Sequence, residues 1–143
     1  MVTKSPDFQL LDHTADLGMI VRGKDIEDLF ISGAKALTQT MVRSENQRPT
    51  RETRISVDGH DLTDLFIRWL GEILYLFEGE GLIFCDTREL KISSSTSLQA
   101  IVLCVPFDPD KHEIVYEIKA VTYHQASVNR AQGGWEAKVI FDL

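Results

Sequence analysis

Apolar residues after Asp61 fall at Leu62, Leu65, Phe66, Trp69, Leu70, Ile73, Leu74 and Phe77, a helical spacing sustained over four turns. Thr63, Asp64, Arg68, Glu72, Tyr75 and Glu78 take the other side, so one face is core and one faces water. Gly79 and Gly81 supply the stop expected after a last turn. Trp69 and Phe77 are packing residues in this reading. A second helix is predicted from Asp25, a good N-cap, with Asp28 three residues on where a carboxylate can reach back to the cap's N–H. Its stripe of Leu29, Phe30, Gly33, Ala34, Leu37 and Met41 is narrow and lined with small residues, which allows close packing, and it ends near Val42. The stretch from Arg43 to Arg51 carries no periodicity and reads as an exposed connection.

Strand signals occupy much of the rest: Leu17 to Arg22, Arg54 to Asp58, Leu82 to Asp86, Glu89 to Ser93, Leu98 to Val105, Ile114 to His124, and Trp135 to Phe141. In the long run from Ile114 to His124 both alternating sets are mixed, as in a strand partly covered on both faces. Ser93 to Ser97 reads as a polar turn, and Gly133-Gly134 as a hairpin signal between the long strand and the last. No internal repeat is expected. Two helices among many strands joined by short turns predict a single α+β domain, residues 1–143, with two helices packed on a largely antiparallel β-sheet. The late connections are too short for the crossovers of a doubly wound parallel fold.

At 143 residues and 43% hydrophobic, the chain can bury a substantial core without staples. Its 22 acidic and 15 basic residues give a net charge of −7, which repels a phosphate backbone, so direct nucleic-acid binding is not expected. Cys85 and Cys104 lie in apolar runs outside any metal pattern and are expected to be buried thiols. Met1 to Asp7 has no apolar core of signal-peptide length, and no stretch approaches the roughly 20 apolar residues of a membrane span. A cytoplasmic protein is the expectation.

Catalytic motifs are lacking: no phosphate-binding Gly-Lys-Ser/Thr loop, no dinucleotide fingerprint, no His-Glu-x-x-His and no nucleophile elbow. His13, His60, His112 and His124 are scattered, without zinc spacing. The segment that stands out is Asp12-His13-Thr14-Ala15-Asp16-Leu17-Gly18, a polar cluster directly before an apolar strand. Two carboxylates and a hydroxyl are hard oxygen donors that suit Ca²⁺, Mg²⁺ or Mn²⁺ better than zinc. Spacing alone favours a plain turn, in which Asp and Thr bond their own backbone. At the other end the last strand runs into Asp142 and Leu143, which places a side-chain carboxylate beside the α-carboxylate and concentrates charge that a metal can neutralise.

With those residues, Gly81-Leu82-Ile83-Phe84 and Glu117-Ile118-Lys119-Ala120-Val121-Thr122-Tyr123-His124, the chain resembles the archeases along essentially its whole length. The resemblance implies a small α+β protein that binds a divalent metal. It also implies a non-enzymatic cofactor of an RtcB-type RNA ligase in tRNA splicing and RNA repair, promoting ligase guanylylation and multiple turnover. Carried over by motif, the metal ligands are Asp16, Asp142 and Leu143, the last through its carbonyl or terminal carboxylate, and Lys119 is the candidate for partner activation. Asp12 reads as an outer or exposed residue, His13 as a structural histidine, and Tyr123 and His124 as sheet residues. Two alternatives stay open: a metal-dependent hydrolase of a small phosphorylated substrate, and a purely structural metal in an interaction module.

Overall fold

The computed structural model describes residues 5–12, 16–45 and 48–143, without the side chain of Asp12. The order is β1 (Asp7–Asp12), β2 (Asp16–Gly23), α1 (Ile26–Met41), β3 (Val42–Ser44), β4 (Arg51–Asp58), α2 (Leu62–Glu80), β5 (Leu82–Ser93), β6 (Ser97–Pro106), β7 (His112–Ile114), β8 (Ala120–Ala131) and β9 (Gly134–Asp142). Both helices form where their periodicity places them. The strands divide into three antiparallel sheets rather than one: β1-β2-β9-β8, β4-β6-β5 and the short pair β3-β7. A continuous core joins them. Met19, Leu29, Phe30, Phe66, Trp69, Leu98, Val102, Val139 and Phe141 are all essentially inaccessible within it.

Both helices start in the same way. Asp25 accepts from the Asp28 N–H and Asp61 from the Asp64 N–H, each at 2.8 Å. The second carboxylate of each pair reaches back one residue further than anticipated, to the N–H of Lys24 and of His60, both at 2.8 Å. Each such cap contributes about 1 kcal/mol. The likeness extends through Gly23-Lys24-Asp25-Ile26-Glu27-Asp28-Leu29-Phe30-Ile31 and Gly59-His60-Asp61-Leu62-Thr63-Asp64-Leu65-Phe66-Ile67, so the expectation of no repeat is overturned. Each motif begins where a strand hands over to a helix. A Cβ on Gly23 would lie 2.4 Å from Leu29 N, and one on Gly59 would lie 2.9 Å from Leu65 N. The two equivalent phenylalanines, Phe30 and Phe66, meet edge to face with ring centroids 5.1 Å apart. Trp69 Nε1 donates to the Phe30 carbonyl at 2.8 Å, which satisfies the polar end of a buried indole.

Four strand expectations need correction. Residues 82–93 form one strand, β5, whose pairing with β6 shifts at Cys85 and at Arg88; the charged interruption in the pattern is two bulges, not a break. The run from Ile114 to His124 is not one strand. β7 pairs with β3, β8 pairs with β9, and residues 115–119 cross between those sheets with Ile118 in the core and the Val115 N–H on the Met41 carbonyl. That change of neighbours explains why neither alternating set is clean. The connection after α1 also contains β3, and β1 was not anticipated because its apolar pair Phe8 and Leu10 sits in a short edge strand between charges. The hairpin at Gly133-Gly134 joins β8 to β9, with Gly133 at φ +79. Cys104 is buried as expected, whereas Cys85 is half-buried.

Candidate metal centre

β2 begins at Asp16, β9 ends at Asp142, and the antiparallel register sets those two residues directly opposite each other. The next pair, Leu17 and Phe141, is fully buried against the core. Successive side chains alternate across a strand, so Asp16 and Asp142 share the other face, with Cβ atoms about 5 Å apart as in any directly opposed pair. The sequence pattern that buries Leu17 and Phe141 therefore juxtaposes the two carboxylates.

The electrostatics of this pair are unfavourable as they stand. Asp16 Oδ1 is buried and has no hydrogen-bond partner. A buried, unbonded carboxylate oxygen is costly, and a second carboxylate straight across the ladder adds like-charge repulsion. The Asp142 carbonyl is already taken, because the Lys119 N–H donates to it at 2.8 Å. What remains free at this corner is the Asp142 side chain, which is exposed, and the main-chain end of Leu143, whose side chain packs on the core. Among the described residues no three His, Cys, Asp or Glu side chains gather to hold an ion. Side chains thus supply two oxygen ligands, and Leu143 supplies main-chain oxygen. An all-oxygen, net-negative donor set of this kind fits a hard divalent cation.

The other sequence candidates are placed as follows. Register puts Asp12 opposite Leu17, one step off the Asp16 row, while its side chain and His13 lie outside the described residues. Lys119 is exposed and joined to Asp142 through its main chain. A cleft of about 890 Å³ opens between β1 and β5, lined by Phe8, Leu10, Lys35, Asp86 and Tyr116 among others. None of Asp16, Lys119, Asp142 and Leu143 borders it, so this cleft and the candidate centre are separate features.

One polar cluster escaped the sequence reading. Tyr123 is not a ladder residue. Pairing of β8 with β9 stops at Thr122 and resumes at Ser127, which leaves residues 123–126 bulged opposite Val139, with Gln125 in the left-handed region at φ 54. The Tyr123 hydroxyl donates to Asp64 Oδ1 at 2.6 Å. The same carboxylate meets His60 Nδ1 at 2.9 Å and Arg68 Nε at 3.0 Å. The Tyr123 hydroxyl, then the His60 side chain and N–H, then Arg68 hold the Asp64 carboxyl well below the usual carboxylate range. The bond to Asp64 and desolvation raise the Tyr123 phenol correspondingly. The repeat of Asp28 by Asp64 was the available signal, since it marks Asp64 as a capping carboxylate, and in the second copy a tyrosine from another element reaches it.

Residues 8–143 match the model of the Archease protein family (MTH1598/TM1083). Protein archease of Methanopyrus kandleri is 36% identical over 138 residues, covering 95% of this chain and 99% of the relative. That of Pyrococcus furiosus is 36% identical over 136 residues, covering 92% and 95%. Among solved structures, the solution structure of Methanobacterium thermoautotrophicum protein 1598 superposes with a TM-score of 0.80 at 27% identity, covering 95% of this chain and 98% of that one. The crystal structure of a Thermotoga maritima archease, described as a possible chaperone, gives 0.61 at 21% identity over 100% and 99%, a likeness of fold.

Proposed function

This chain belongs to the archease family, and from that membership and the orphaned Asp16 carboxylate we propose that it is a divalent-metal-binding accessory protein that activates an RtcB-type RNA ligase. Asp16 and Asp142 hold the ion, Leu143 adds main-chain oxygen, and Ca²⁺, Mg²⁺ and Mn²⁺ are the cations this donor set takes. A bound divalent cation supplies positive charge and Lewis acidity at the protein surface. The Lys119 N–H keeps the end of β9 fixed through the Asp142 carbonyl, and the exposed Lys119 side chain is the group that reaches the ligase. The observation that carries the reading is Asp16 Oδ1, buried, unbonded and facing a second carboxylate.

A cytoplasmic role in tRNA splicing is part of the same proposal; no described helix is long and apolar enough to cross a membrane. The net charge of −7 favours encounter with a basic ligase while keeping the protein off the RNA itself. Thiol chemistry by this chain is disfavoured. Burial pushes the Cys85 thiol up to about 11 and Cys104 to about 12, so neither is a nucleophile near neutral pH. A purely structural metal is also disfavoured, because an eight-pair ladder from Asp16 to Gly23 already joins β2 to β9.

The test is a ligation time course with excess RNA and GTP. Addition of this protein raises the rate of ligase guanylylation and the number of ligations per ligase, while Asp142→Ala and a form extended past Leu143 lose that effect. Unchanged guanylylation and turnover with the unaltered protein reject the proposal.

A further inference from the structure

The corner that holds Asp142 has two walls. β2 forms one through Asp16, and β8 forms the other through Ala120, which pairs with Asp142, and through the Lys119 N–H. The second wall is short. Only Ala120, Val121 and Thr122 pair with β9 there, before the bulge at residues 123–126 cuts them off from the rest of β8, and residues 115–119 before them are not in a strand. A three-pair ladder that follows irregular chain and ends at a bulge gains little from its own pairing, since ordering each residue opposes it.

Ile118 in the core anchors the start of this stretch and Val121 packs on that core, while side-chain bonding holds its bulged end. Thr122 Oγ1 donates to the Ile140 carbonyl at 2.8 Å, and the His124 N–H donates to Thr122 Oγ1 at 3.3 Å. Tyr123 ties the bulge to α2 through its 2.6 Å bond to Asp64. The Tyr123 residue is 58% exposed, so burial of its ring is a small part of what fixes it, and the charge-assisted bond is the main tether. The receiving carboxylate, on the first turn of α2, is held by the His60 N–H, His60 Nδ1 and Arg68 one turn further on. The Val128 N–H, on the far side of the bulge, donates to Thr63 Oγ1 at 3.2 Å, so the same helical turn grips β8 on both sides of the interruption.

We propose that Tyr123, anchored on Asp64, is a positioning residue for the metal centre, pinning the Lys119–Thr122 segment of β8 against the end of β9 so that Asp142 is presented beside Asp16. This rests on the reading of Asp16 and Asp142 as metal ligands. Tyr123 does not touch the ion. It acts through the strand that flanks its ligand, as outer residues do when they orient the groups that bind a metal.

The experiment is calorimetric titration of the full chain with Ca²⁺, and separately Mn²⁺, on the unaltered protein, Tyr123→Phe, Asp64→Asn, the double variant, and Tyr75→Phe as an equally exposed tyrosine elsewhere on α2. Amide hydrogen exchange is read at Lys119. Tyr123→Phe and Asp64→Asn are each expected to weaken metal binding by about 10-fold. The double variant is expected to be no worse than the weaker single one, and Tyr75→Phe unchanged. Exchange at the Lys119 N–H is expected to quicken about 10-fold in Tyr123→Phe while that of the α1 amides stays fixed, which separates local release from general destabilisation. Metal binding by the unaltered protein with the same affinity in Tyr123→Phe overturns the positioning role alone. Absence of binding in the unaltered protein overturns the metal reading, and this inference with it.

Discussion

Asp16 carries a buried carboxylate oxygen that meets no donor and looks across the ladder at Asp142. Two outcomes follow for Asp16→Asn without metal and with it. Metal-free, the neutral amide removes repulsion and gains a donor, so thermal unfolding shows stability equal to or above the parent's, where loss of a turn-forming bond would lower it by about 1–2 kcal/mol. With metal, the parent rises by about 2.7 kcal/mol at a concentration 100 times its Kd, and the variant does not move. Asp64 titrates with a definite sign. Its folded pKa is depressed, so its contribution to stability is complete at neutral pH and fades as pH falls below the unfolded value of about 3.9 toward the lower folded one. The stability gap between the parent and Asp64→Asn, followed by urea unfolding, is therefore flat from pH 5 to 8 and narrows below pH 4. Cys85 and Cys104, with thiols pushed to about 11 and 12, are expected to resist iodoacetamide at pH 7.5 in the native state and to react on denaturation.

At the scale of elements, two copies of one helix-entry motif set the two strand-to-helix turns, and their glycines differ in what they tolerate. Gly23→Ala drives a Cβ to 2.4 Å from the Leu29 backbone, which cannot yield, whereas Gly71 in the middle of α2 has open space around it. Urea unfolding should show Gly23→Ala destabilised by more than 2 kcal/mol, on the order of other large backbone conflicts, and Gly71→Ala stabilised by up to about 1 kcal/mol. Helices were legible in the sequence because their apolar stripes and Asp caps are local. Asp16 and Asp142 were legible as charged strand ends, but only the family resemblance brought them together, because their pairing depends on β9 returning beside β2 with 125 residues between the two aspartates. Tyr123 was illegible for another reason. Its period-2 pattern reads as a ladder position, and the bulge that frees it is compensated by α2, a partner distant in sequence. The same non-locality hid the break between β7 and β8, where the chain changes sheets without any glycine or proline to mark it.

At the scale of the molecule, the described residues form three antiparallel sheets and two helices around one core, and the proposed metal corner lies where β2 meets β9. The wide cleft between β1 and β5 is elsewhere, so the account does not depend on a deep pocket. If the proposed ligase partner presents a basic surface, a chain of net charge −7 should associate with it more slowly as salt screens the attraction, with a Debye length of about 8 Å at 0.15 M. Stopped-flow association rates falling with ionic strength, at little-changed dissociation rates, are the expected result. The central claim is that Asp16 and Asp142 together hold a divalent ion. The most direct measurement is calorimetric titration of metal-stripped protein with Ca²⁺, Mg²⁺ and Mn²⁺, alongside Asp16→Asn and Asp142→Asn. One equivalent bound by the parent and none by either variant is the predicted result; no binding by the parent, or undiminished binding by both variants, contradicts it.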